Sequence, residues 1–383
     1  MGAARVWASR AWCAGLLVTA GCGSAVDGGV LYEPWVDGPG PRQPAFLAFS
    51  AAYDGQGTAP IGTEGFPQRL SDTGAFADAA TLQPADGILP YEIQAPLWSD
   101  GAFKQRWLSV PENATLGYSE TGHWRLPPGT VFVKHFEMAL DERFPEQRRR
   151  LETRFWVAAS PDAQYGVSYK WNDEQTDAEL LVDSTTEMLS IIGADGTERT
   201  QPYFYPSSSD CVSCHNTSSG FVLGARTAQL NRGVTVQGDR PPVNQLVAWS
   251  TWGLIDGRVD TSATLAAPRL VAVNDEAAPL EDRVRSYWDG NCSMCHAGSA
   301  GTVPGWDARF TTPFDEQGLD QPPRGSQSAS RLIAPGAPED SYIYLRGDTT
   351  QSGLRMPPVG RNRVDDAYID LLTRWITSLE ASE

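Results

Sequence analysis

Alternation of apolar and polar positions is strongest between residues 67 and 205. The run Gly129-Thr130-Val131-Phe132-Val133-Lys134-His135-Phe136-Glu137-Met138 is β-branched and aromatic and follows a Pro-Pro-Gly turn, which predicts a strand. Leu151 to Ala159 and Tyr165 to Trp171 read the same way, joined by a short Ser-Pro-Asp-Ala-Gln turn. Ile191-Ile192 before Asp195-Gly196 predicts another hairpin. Trp98, Trp107, Trp124, Phe155, Trp156 and Trp171 give the stretch apolar bulk for its own core. A β-sandwich or small barrel is expected.

Past Pro206 the period changes. Phe221 to Arg232 and Asn244 to Leu254 predict helices, and Pro279 opens a third that runs through Val284, Tyr287 and Trp288 into Cys292. Tyr368, Leu371, Leu372, Trp375, Ile376 and Leu379 recur at spacings of three and four, one apolar stripe on a terminal helix. The expected fold class is α+β and multidomain. A β-rich domain at 67–205 precedes a mostly α-helical region, divided at 206–278 and 279–383.

The N-terminus reads as an export signal over residues 1–21. Arg5 and Arg10 supply the positive segment, and Ala11 to Ala20 is an apolar stretch too short to span a bilayer. Thr19-Ala20-Gly21-Cys22 resembles a lipobox, which would lipidate Cys22, although Thr19 stands where an aliphatic residue is usual. Plain cleavage, leaving a free Cys22, is the alternative. Residues 22–66 are rich in Gly, Pro and Ala and read as a tether. The lipid would be the chain's only membrane contact, and Gly23 after Cys22 is compatible with the outer membrane. The formal charge of −17 argues against nucleic-acid binding. It suits a redox partner with a basic docking surface, or serves solubility alone.

Two pentapeptides carry the chemistry: Cys211-Val212-Ser213-Cys214-His215 and Cys292-Ser293-Met294-Cys295-His296. Each is C-x-x-C-H, the attachment pattern of a c-type haem. Two thiols three apart can both reach the haem vinyl groups, and the adjacent imidazole falls where it can bind iron. A zinc ribbon would want about 15–20 residues between its pairs, whereas 77 separate Cys214 from Cys292. Thioredoxin-like redox pairs would need βαβ surroundings and no following His. The expectation is two covalently bound c-type haems, with His215 and His296 as iron ligands.

The sixth ligands differ between the sites. Met356 lies 60 residues after His296 in Arg355-Met356-Pro357-Pro358-Val359-Gly360, where two prolines stiffen the loop that presents the thioether. Between His215 and Cys292 there is neither Met nor His. His135 is the tentative choice there, against the alternative of a core histidine on the face of Val131 and Val133. Met188, His123 and Met138 follow, and an open iron is the remaining possibility. Lys134 can neutralise a haem propionate or stand as a surface charge.

Taken with the haem motifs, several ordered segments resemble a family of exported bacterial two-haem c-type cytochromes, often encoded beside a parallel β-helix protein. They include Arg69-Leu70-Ser71-Asp72, Pro90-Tyr91-Glu92-Ile93 leading to Pro96-Leu97-Trp98-Ser99-Asp100, Leu151-Glu152-Thr153-Arg154 and Lys170-Trp171-Asn172-Asp173. Tyr205-Pro206, Val222-Leu223-Gly224, Gln229-Leu230-Asn231 and Arg283 to Tyr287 continue the order. Arg331 to Pro335 and Arg355-Met356-Pro357-Pro358 resemble that family's class I cytochrome c-like module. The resemblance implies haem binding and electron transfer, with a cytochrome c-like helical haem region, and assigns no substrate.

Three functions follow. The leading one is an exported, lipid-anchored electron carrier on the periplasmic side of the cell envelope, with Met356 closing the second haem. A peroxidase-like enzyme with an open first haem is the second. The electron-exit subunit of an exported dehydrogenase is the third. On this reading the chain is more an electron carrier than an enzyme.

Overall fold

The period-two pattern forms strands where it predicts them. The structure is a computed structural model, and it describes residues 47–50, 65–160, 163–234, 242–301, 305–323, 329 and 331–379. The expected signal, the cysteines Cys13 and Cys22 and most of the expected tether lie outside the described residues. Strands β1 (Phe76–Asp78) and β2 (Gln83–Pro84) make a short hairpin. β3 (Leu89–Pro90), β4 (Phe103–Ser109), β5 (Thr130–Ala139), β6 (Arg148–Ala158), β7 (Gln164–Trp171) and β8 (Ala178–Leu180) then form one six-stranded sheet in chain order, every pair antiparallel. β3 and β8 are its two edges, so the sheet is open rather than barrel-like. The hairpin expected around Gly196 is β9 (Thr185–Ile192) and β10 (Glu198–Tyr205), a separate two-stranded sheet.

Successive side chains on a strand point to opposite faces, and both faces of this sheet are covered. On the first face Val131, Val133, Phe155, Val157, Val167, Tyr169 and Trp171 pack with Leu47, Phe49, Phe66 and Leu70. The core therefore begins inside the stretch expected to be tether. On the second face Leu108, Phe132 and Trp156 pack with Val222, Leu230, Leu246 and Trp249. Further along that face Phe136 and Met138 pack with Leu189, Ile191, Tyr203 and Tyr205 of the β9–β10 hairpin. The region 206–278 thus shares its core with the sheet.

The mostly α-helical, cytochrome c-like region expected after residue 206 does not form. Among the described residues there are seven short α-helices: α1 (Ser208–Cys211), α2 (Thr227–Leu230), α3 (Gln245–Thr251), α4 (Thr261–Ala266), α5 (Leu280–Asn291), α6 (Tyr342–Gly347) and α7 (Asp366–Ser378). The chain as a whole is β-rich. The helix expected over Phe221–Arg232 shrinks to α2 because Phe221 (φ 63°) and Gly224 (φ 91°) take left-handed backbone and Arg226 is extended. The one over Asn244–Leu254 becomes α3, with Asn244 as its cap and Gly253 (φ 65°) following its end. The strongest patterns do hold. α5 starts after Pro279, and α7 buries Tyr368, Leu371, Leu372, Trp375 and Ile376. These two helices pack together, with Tyr287 stacked on Tyr368 at 3.8 Å and Trp288 Nε1 donating to Tyr368 Oη at 2.9 Å.

A polar joint ties these parts together. The segment Glu92–Trp98 lies outside the sheet, so its backbone groups need other partners. Gln245 brackets Glu92, accepting from its N–H and donating to its carbonyl, both at 3.0 Å. Gln229 accepts from the N–H groups of Gln94 and Ala95 and donates to the Ala95 carbonyl at 2.8 Å. Asn291, the last residue of α5, accepts from Trp98 N–H at 2.7 Å and donates to the Pro96 carbonyl. Beside it Asp289 pairs with Arg226. Gly290 makes the approach possible, since a Cβ there would stand 2.4 Å from the Ala95 carbonyl oxygen. Gly290→Ala should therefore cost about 1–3 kcal/mol as an overpacking change, read as a lowered midpoint in thermal or denaturant unfolding. An unchanged midpoint would mean that helix and segment are not in contact.

Candidate functional site

The two C-x-x-C-H motifs adopt the same turn. In the first, the N–H groups of Cys214 and His215 donate to the Cys211 carbonyl at 3.2 and 2.9 Å. In the second, Cys295 and His296 donate to the Cys292 carbonyl at 3.1 and 2.9 Å. One helical turn brings residues three and four apart onto one side, so each motif presents two thiols and an imidazole together. None of the four motif cysteines is in a disulfide, and each is half-buried.

The first motif leaves β10 through α1, which Ser207 and Asp210 cap: Asp210 accepts from Ser207 N–H at 2.9 Å. After His215 the chain turns at Asn216–Gly220, with Gly220 (φ 66°) and Phe221 (φ 63°) left-handed. That turn brings the Phe221 carbonyl 2.7 Å from His215 Nδ1. A carbonyl only accepts, so Nδ1 carries the proton and Nε2 is left as a basic nitrogen, the arrangement of an oriented metal-binding histidine. Trp156 of β6 stacks on the imidazole at 4.0 Å and 25°. Burial holds His215 down to about 4, the Phe221 bond opposes it, and Lys134 and Arg154 push further down. At neutral pH the ring is uncharged. Gly166, opposite Trp156 on β7, leaves room for the motif: a Cβ there would lie 2.5 Å from Cys211 Sγ.

The second motif caps the end of α5, where Cys292 and Ser293 both donate backbone N–H to Trp288 and Ser293 Oγ donates to the Asp289 carbonyl. His296 lies against Trp306 at 4.7 Å, and its buried Nδ1 has no hydrogen-bond partner among the described residues. Burial, then Arg346, lowers its pKa to about 4. Met356 stands half-buried in the loop between α6 and α7. Its N–H donates to the Arg346 carbonyl at 2.9 Å, and its carbonyl accepts from Arg361 at 2.6 Å. The loop end is fixed by Asp100, which accepts from the N–H groups of Asn362 and Arg363 at 2.6 and 2.9 Å. Arg346 thus meets the Met356 loop through its carbonyl, and its positive charge disfavours protonation of His296.

Several residues singled out for the first site lie elsewhere. His135 has no exposure, Thr153 Oγ1 sits 2.8 Å from its Nδ1 and Glu137 3.3 Å from its Nε2, and Trp171 packs edge-on against it. It occupies the first face, whereas Trp156 and His215 occupy the second, so strand alternation separates His135 from that motif. Met138 packs under the β9–β10 hairpin, and Met188 is exposed. His123 alone of the four packs beside the motif's following turn, against Gly220. Trp156, Gly166, Arg154 and the Phe221 carbonyl escaped the sequence reading; the two-residue spacing of Arg154 and Trp156 on one strand is the signal that could have found the side chains.

The geometry weighs against the other uses of these motifs. Redox dithiols work through a lowered thiol pKa, but burial pushes Cys211 up to about 11 and Cys292 up to about 12. A structural zinc needs about four converging ligands, and among the described residues no three His, Cys, Asp or Glu side chains cluster to hold a metal ion. A c-type haem asks for less, one imidazole per motif on iron and thiols bonded to carbon, and the reduced motif thiols and the His215 tautomer fit it. The two sites are neighbours. Burial raises the Cys214 thiol and the Cys295 thiol adds to that. A cavity of about 410 Å³ lies between them, bordered by His123, Ser219, Arg226, Asp289, Met294 and Arg309.

In chain made without haem, Gly166→Ala should push the Cys211 thiol out and speed its alkylation several-fold relative to Cys214, measured by peptide mass spectrometry. An unchanged ratio would show that the sheet and motif are not in contact at Gly166. Compared with family models, curated proteins and solved structures, the chain matches none.

Proposed function

We propose that the chain is an exported two-haem c-type cytochrome that transfers electrons in the cell envelope. The observation that carries this reading is the shared turn of the two motifs, with His215 Nδ1 tied to a carbonyl and Nε2 left basic. Cys211 and Cys214 would hold one haem and Cys292 and Cys295 the other, with His215 and His296 on iron and Met356 the further ligand at the second. Bound haem supplies iron that alternates between two oxidation states. The chain's residues do the rest: Trp156 and Trp306 wall the imidazoles, Arg361 and Asp100 fix the Met356 loop, and the α5 joint keeps the two motifs together. The N-terminal pattern supports export and a lipid at Cys22, placing the protein on the periplasmic side, at the outer membrane in preference to the inner. Net charge supports a basic redox partner.

The cavity between the motifs favours a second reading, a peroxidase-like enzyme. It brings His123 and Arg226, whose guanidinium is held by Asp289, to the border of one cavity, which a plain carrier does not require. Turnover of peroxide with a reduced cytochrome as donor would select it.

Two measurements test the primary reading. Protein exported by cells that attach haem to C-x-x-C-H sites should carry the mass of two haems, with the matching pyridine haemochrome absorbance; one haem or none overturns it. Met356→Ala should keep both haems, lower one midpoint potential and let carbon monoxide bind reduced iron at the second site. If carbon monoxide binding and both potentials equal those of the parent, Met356 is not a ligand.

A further inference from the structure

The second face of the sheet gathers positive charge on neighbouring rungs. Beside the Leu108, Phe132, Trp156 and Gly166 rung that seats the first motif runs a rung of Arg106, Lys134, Arg154 and Ser168, one residue from each of β4 to β7. The next rung holds Lys104, Phe136, Glu152 and Lys170. These two rungs gather all three lysines of a chain whose net charge is −17, together with two arginines and one carboxylate. Like charges directly opposite on adjacent strands oppose folding. Glu152 answers Arg154 at 2.9 and 2.5 Å, and Lys104 donates to the Leu97 carbonyl. Lys134 and Arg154 nevertheless lie over the same Phe136 ring, at 4.9 and 4.3 Å. The fourth member of the rung gives an independent sign: Ser168 has no exposure, and among the described residues its Oγ has no hydrogen-bond partner. A buried hydroxyl left in that condition marks a place where a polar group is expected.

We propose that Arg106, Lys134, Arg154 and Ser168 form a seat for the carboxylate groups of the haem held at Cys211 and Cys214. The inference rests on the haem reading above and adds the residues that would meet the haem's anionic edge. Placement carries it: Arg154 and Trp156 are two apart on β6 and share a face, and Trp156 is the residue stacked on His215. Guanidinium and ammonium groups are the natural partners of carboxylates, and Ser168 Oγ–H can donate a further bond.

The test is potentiometric titration of the matured protein, following both haems by absorbance. Removing positive charge near a haem favours its oxidised form. Lys134→Gln, Arg154→Gln and the double variant should each lower the midpoint of one couple, the double most, and leave the Met356-sensitive couple unmoved. Arg154→Lys and Lys134→Arg should restore the parent value, and Arg125→Gln, at an exposed ion pair, should shift neither couple. Lys134→Gln, at a partly exposed position, carries the test if Arg154→Gln fails to mature. Two attached haems with unmoved midpoints in the Lys134 and Arg154 variants would overturn this inference alone. A parent protein without haem would overturn the haem reading itself.

Discussion

The contact between His215 and Trp156 is the constraint on which the rest of the molecule depends. Trp156 is fixed by its strand, and its strand by neighbours on both sides. Because side chains alternate between faces, seating the motif on Trp156 also decides what else it can meet. Phe132 and Leu108 extend the apolar floor, and Lys134 and Arg154 follow on the same side. Thr153 and His135 are committed to the opposite side. A register slip of one residue would exchange the two sets entirely. Apolar burial on both faces resists such a slip, so the sheet acts as a ruler for the chemistry laid across it.

The second motif is placed by different means. It hangs from the end of α5, so its position is only as good as the seating of that helix. α7 holds one side through Tyr368 and Trp375. The other side is polar: Asn291, Gln229 and Gln245 serve a proline-containing segment that cannot use a sheet ladder. Carboxamides suit this task because each both donates and accepts. Arg226 and Asp289 add an ion pair whose value lies in specificity, since a buried pair gains little net stability but breaking it costs about 3–5 kcal/mol. Directional polar groups favour one docking, where an apolar face would allow several.

Much of this could be read in the sequence, and what could not has physical causes. Strong local patterns survived: the strands around Val131 and Phe155, the Gly196 turn, and the stripes of α5 and α7. Weaker apolar spacing at Phe221–Arg232 made only the short α2, because left-handed residues at 221 and 224 turn the chain so that the Phe221 carbonyl can reach His215. Leu47 and Phe49 sit in a stretch whose composition reads as tether, yet they complete the first-face core. Composition averages over a segment, whereas burial is decided residue by residue. The carboxamide joint joins residues more than a hundred positions apart, and no local period records such a contact.

The two imidazoles also stand in different surroundings, and this matters for a protein proposed to carry two haems. His215 gives its Nδ1 proton to a carbonyl, which orients the ring and makes Nε2 a stronger donor. Among the described residues His296 Nδ1 has no such bond, and Trp306 lies against the ring. With haem bound, a stronger imidazole donor would favour oxidised iron and the cations beside Trp156 would favour reduced iron, so two opposing influences would meet at the first site. At the second, the Met356 thioether proposed as ligand, on a loop pinned by Arg361 and Asp100, would favour the reduced form. Two identical pentapeptide patterns therefore need not yield two equal centres. Their difference would come from one carbonyl, one row of cations and one loop, all supplied by parts of the chain far from the motifs in sequence.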